Sequence, residues 1–111
     1  MTRSQFDTLR ILDHTGISAS YAAIGTAFAV LPRIICVTND TDGAIIVSDD
    51  PLNSTGKLYL PKGSFKLFDI TTNSNQNLDD TNTLPLHMQL YIKQYTTVSS
   101  GIVTVEIIYA V

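Results

Sequence analysis

The chain has 111 residues with a single cysteine, which fits one domain able to bury a modest core and excludes an intrachain disulfide. Its net charge of -3 with no Lys/Arg cluster excludes a phosphate-binding surface, and with it nucleic acid as a partner. Charged residues make up only 15%, against about 25% in ordinary soluble domains, so Thr, Ser, Asn and Gln must supply the polar surface, one suited to dense packing against other protein.

In chain order, "MTRSQFDTLRILDHTG" places Phe6, Leu9 and Leu12 at helix-like spacing, which predicts a short helix or an arm that orders on a partner. "ISASYAAIGTAFAVLP" is mildly apolar, but Ser18, Ser20, Gly25 and Thr26 interrupt it, and it is too short to span a bilayer. It predicts strand, turn and strand, over Ala19–Ile24 and Ala27–Val30; a cleaved signal, for which "AFA" would be the processing site, is the alternative. Without such a signal, "NDT" at Asn39 and "NST" at Asn53 are turn residues rather than glycosylation sites.

The stretch "TNDTDGAIIVSDD" has the spacing of a calcium loop, with Asp40 and Asp42 at the third and fifth positions, Gly43 at the sixth and Asp49 at the last. Thr38 is a neutral hydroxyl where a carboxylate is wanted, and Asp49 is one methylene shorter than the closing Glu. An EF-hand needs flanking helices, whereas "LPRIICV" and "AIIV" are β-branched runs. The expectation is a β-hairpin in which Asp42-Gly43 provides the positive φ of the turn. Cys36, inside "RIICV", is expected to be a buried, inert thiol.

Further strands are expected over Arg33–Thr38, Ala44–Ser48, Lys57–Leu60, Ser64–Thr71, Met88–Tyr95 and Ile102–Tyr109, with "PKGS" a β-turn holding Gly63 at a special backbone angle. In the last of these, Val103, Val105, Ile107, Tyr109 and Val111 form the apolar face, opposite Thr104 and Glu106. In "HMQLYIKQY", Met88, Leu90 and Ile92 alternate with Gln89, Tyr91, Lys93 and Tyr95. Tyrosine suits an exposed strand and also an interface, where its ring buries area and its hydroxyl finds a partner, so Tyr91, Lys93 and Tyr95 are interface candidates. The polar segment Thr72–Leu84, with Asn75, Asp79 and Asp80, is long for a loop in a compact domain and reads as a contact region; its Asp pair lacks the further oxygens a metal needs.

About eight short strands separated by turn signals indicate an all-β fold, a sandwich or jelly roll, with residues 1–16 as arm or short helix and residues 17–111 as the single β-sandwich domain. No nucleophile, HExxH or CxxC pattern surrounds His14 or His87, so neither an enzyme nor a cofactor or metal site is expected.

The runs "PRIICVTNDTDGAIIVSDD", "LYLPKGSFKLFDITTN", "LYIKQ" and "SGIVTVEIIYAV" resemble the small β-sandwich virion proteins of tailed bacteriophages, and the length, single domain and low charge content are most similar to the capsid decoration, or staple, proteins of epsilon-fifteen-like short-tailed phages. The resemblance covers roughly residue 18 onward and lies in general pattern rather than a diagnostic motif. It implies a jelly roll acting as a homodimer on the outer surface of an icosahedral capsid. There it would clamp neighbouring copies of the major capsid protein against DNA pressure, with no membrane or nucleic-acid partner. The arm residues Phe6, Leu9 and Leu12 and the loop residues Asn75, Asp79 and Asp80 are the candidate adhesive elements. Two rivals remain: a tail or head-to-tail connector component, and a carbohydrate-binding module, which would need several of the five tyrosines to converge.

Overall fold

The computed structural model describes residues 4–30, 32–49, 58–69 and 89–110. The strands among them are β1 (Ser4–Phe6), β2 (Arg10–Asp13), β3 (Ala22–Ala23), β4 (Pro32–Thr41), β5 (Ile45–Ser48), β6 (Leu58–Leu60), β7 (Phe65–Asp69), β8 (Tyr91–Gln94) and β9 (Gly101–Ala110), with one 3-10 turn at His14–Gly16. They form two antiparallel sheets. Sheet A has the order β1/β2, β9, β4, β7, where β1 and β2 lie end to end along one side of β9; sheet B has the order β3, β8, β5, β6. The all-β sandwich expected from the sequence is therefore what the chain forms.

The pairings are nested. β2 pairs with β9, β3 with β8, β4 with β7 and β5 with β6, every pair antiparallel, and β4–β9 and β5–β8 ladders join these pairs into the two sheets. Between the sheets lies one core in which Ile24, Phe28, Ile45, Leu60, Ile92, Val103 and Val105 are almost wholly buried. The period of two decides which side chains enter it: Val103, Val105 and Ile107 face inward from β9, as do Ile35 and Val37 from β4.

Three expectations change. Residues 4–13 are strands of sheet A rather than a helix or free arm, because β9 is ten residues long and its edge offers a ladder that an isolated, weakly amphipathic segment takes up. Pairing also turns Leu12 inward, where it packs on the core. Ala27–Val30 forms no strand: the carbonyls of Thr26 and Ala27 accept from the Arg10 guanidinium (2.9 and 3.5 Å) and Phe28 drops into the core.

The third change concerns Asn39–Gly43. β4 runs on to Thr41 in sheet A while β5 belongs to sheet B, so the segment is a corner between sheets and not a hairpin. Gly43 is absent from the glycines with positive φ; it is needed because a β-carbon there would overlap the Thr97 carbonyl oxygen. The corner is built on Asn39, which is fully buried. Its amide Nδ2 donates to the carbonyls of Gly43 (2.9 Å), Leu60 (3.1 Å) and Pro61 (3.1 Å), and its Oδ1 accepts from the Thr41 hydroxyl (2.6 Å). The Asn39 backbone bonds Ser64 and Gly63, so one residue ties the β4–β5 corner to the β6–β7 turn. In that turn Gly63 has φ 71°, as "PKGS" predicts.

Candidate functional site

Asp42 fastens the β8–β9 connection to the same corner. Its carboxylate accepts from the Ser99 hydroxyl (2.6 Å), the Ser99 amide (2.8 Å) and the Ser100 amide (3.2 Å), bonds to the charged form that lower its pKa to about 2. Asp13 is held below the ordinary range in the same way by the Thr15 hydroxyl and amide. Both carboxylates of these turns are thus committed to local structure, and no group of three His, Cys, Asp or Glu able to hold a metal occurs among the described residues. The calcium spacing is used as a corner.

What the two sheets present outward is the more informative geometry. On sheet B, register places Ile46 between Tyr59 of β6 and Lys93 of β8, and Tyr91 between Ala23 and Ser48. The Lys93 ammonium lies over the Tyr21 ring at 4.7 Å, and the Tyr59 and Tyr95 rings meet edge-on at 5.2 Å and 81°. Tyr91, Lys93 and Tyr95 therefore share one surface, with Tyr21 and Tyr59, which the sequence had not joined to them. Tyr91 and Lys93 are half-buried and only Tyr95 stands well out, at 65% exposed. Perpendicular rings give no flat platform for a sugar face. The Tyr21 hydroxyl is buried and meets no hydrogen-bond partner among the described residues.

Sheet A is different. Its outward positions form rows across the strands: Phe6, Ile108 and Ile34; then Glu106, Cys36 and Leu67; then Ile11, Thr104, Thr38 and Phe65; then Asp13, Ile102 and Asp40. Four large apolar side chains in these rows are at least half exposed: Phe6 at 84%, Phe65 at 63%, Leu67 at 57% and Ile11 at 50%. Leu9, also half exposed, lies in the break between β1 and β2. Cys36 is half-buried on this face rather than in the core.

Of the residues singled out from the sequence, Phe6 is on the outer face of sheet A, and Tyr91, Lys93 and Tyr95 are on sheet B; Asn75, Asp79 and Asp80 fall outside the described residues. Ile11, Phe65 and Leu67 were missed. In "FKLFD" apolar and polar residues do not alternate, so sequence alone leaves the outward face of β7 undecided. No family model matches the chain, and no curated protein and no solved structure matches it.

Proposed function

We propose that this chain is a structural virion protein that decorates the outer surface of an icosahedral phage head and staples neighbouring major capsid subunits. The observation that carries the reading is the outer face of sheet A, where Phe6, Ile11, Phe65 and Leu67 stand exposed on a stiff, low-charge sandwich. Apolar side chains exposed together in this way are a feature of interaction surfaces, which favours a face that packs against other protein. We also read the sandwich as a jelly roll. First strand with last, second with second-last and so on inward is the pairing of one long hairpin rolled into two sheets, which the nested ladders of β2–β9, β3–β8, β4–β7 and β5–β6 match.

A staple of this kind works by repetition, since weak contacts multiplied over a shell add up without any single strong site. The test is reconstitution. Heads assembled without this chain release their DNA at some temperature; adding the purified chain raises that temperature and leaves it bound after sedimentation. An unchanged release temperature with no bound chain would remove the decoration reading.

A further inference from the structure

We propose that the outer face of sheet A is itself the shell-docking surface, and that its occupant is a protein surface presenting apolar side chains together with a Lys or Arg positioned for Glu106. The inference rests on the decoration reading and adds which face makes the contact and what chemistry receives it. Phe6 and Ile11 mark one edge of the face and Phe65 and Leu67 the other, three strand spacings or about 15 Å away. From their exposures the four side chains alone offer on the order of 500 Å². With Ile34, Ile108 and Ile102 between them, this approaches the roughly 800 Å² that one partner contributes to a standard interface.

Charge selects the occupant. The carboxylates of Glu106 and Asp40 belong to this face by register, as does that of Asp13, which accepts from Thr15 and lies 3.4 Å from His14 Nδ1; among the described residues the one Lys or Arg beside it is Arg33, whose Nη1 reaches Ser4 Oγ (3.1 Å) beyond the Phe6 row. Lys66 belongs to the opposite side of β7, in register with Val37. A second copy packed on this face with its two-fold axis near Glu106, at the centre of the apolar rows, would set that carboxylate against its own equivalent, an unfavourable like-charge contact. A basic, apolar surface meets no such penalty, so the face suits a different protein.

The experiment uses heads assembled without this chain, the intact wild-type chain, and four variants checked for folding by circular dichroism: Leu67→Glu, Glu106→Lys, Glu106→Gln and the sheet B double variant Tyr59→Ser/Tyr95→Ser. The expected result is that Leu67→Glu and Glu106→Lys each weaken binding by about tenfold or more while the tyrosine variant binds like wild type. Glu106→Gln should also flatten the salt dependence of binding, a signature that mere loss of packing lacks. If the tyrosine variant loses binding and Leu67→Glu keeps it, the docking face is sheet B and the inference is overturned. A wild-type dimer that Leu67→Glu dissociates would overturn it too, by showing a second copy on the face. Wild-type chain that leaves the heads bare would instead sink the decoration reading, and this inference with it.

Discussion

Arg10 is the charged residue the core depends on most. It is 6% exposed, its Nη1 contacts the Asp7 carboxylate at 3.0 Å and the Thr8 carbonyl at 3.1 Å, and its guanidinium lies 4.9 Å from the Phe28 ring. Removing one partner of such a group leaves the other charge and several carbonyls without compensation. Arg10→Ala should therefore lower unfolding free energy by about 3 kcal/mol, and Arg10→Lys by less but measurably, since an ammonium cannot reach Thr26, Ala27 and Asp7 together. Urea titration checks both. Asn39→Ala should cost about 2–3 kcal/mol by removing the buried Nδ2 that the Gly43, Leu60 and Pro61 carbonyls share and the Oδ1 that accepts from the Thr41 amide. Asp42 sets an acid dependence. Its folded pKa, about 2, lies below the ordinary 3.8, so its stabilisation is complete above pH about 4 and fades as pH falls through the folded value. Asp42→Asn should lower the melting temperature at neutral pH and flatten the loss of stability between pH about 4 and 2; equal slopes for variant and wild type would show that the Ser99 bonds contribute nothing.

At the scale of elements, β1 is the part of sheet A least tied to the core. All three of its residues are exposed, and it is held by its ladder to β9, by the Tyr109 hydroxyl donating to Gln5 and by Arg33 donating to the Ser4 hydroxyl. Deleting residues 1–6 should leave far-UV circular dichroism unchanged, lower stability by about 1 kcal/mol, and weaken head binding through the loss of Phe6. Collapse of the fold on that deletion would contradict this placement. β1 also shows where the sequence stops being legible. Strands β4, β5, β8 and β9 could be read because β-branched runs and period-two alternation survive in isolation. Residues 4–13 could not, because their state is decided by a strand almost a hundred positions away, and Phe6, Leu9 and Leu12 at helical spacing point the wrong way. The Asn39–Gly43 corner was recognisable as a change of direction, but Asp-Gly chemistry suits a hairpin turn, and only packing of Gly43 against Thr97 reveals a crossing between sheets. For the candidate site, the tyrosines of β8 were visible by alternation, whereas the sheet A face is assembled from four strands and has no local signature.

For the whole molecule, the nested pairing makes most contacts distant in sequence, as when β2 and β4 both close on β9. Refolding should accordingly take milliseconds to seconds rather than microseconds, which stopped-flow fluorescence of the tyrosines would follow. The product is a two-sheet sandwich with one aromatic face and one apolar, acidic face, the second being the face proposed to meet the shell. That assignment makes the protein a component counted in proportion to the capsid lattice. The most direct measurement is the number of copies per purified virus particle, by quantitative mass spectrometry against the major capsid protein. A decoration protein should be present at one copy per capsid subunit or a simple fraction of it; a handful of copies would place the chain in a tail or connector, and none would contradict the virion assignment outright.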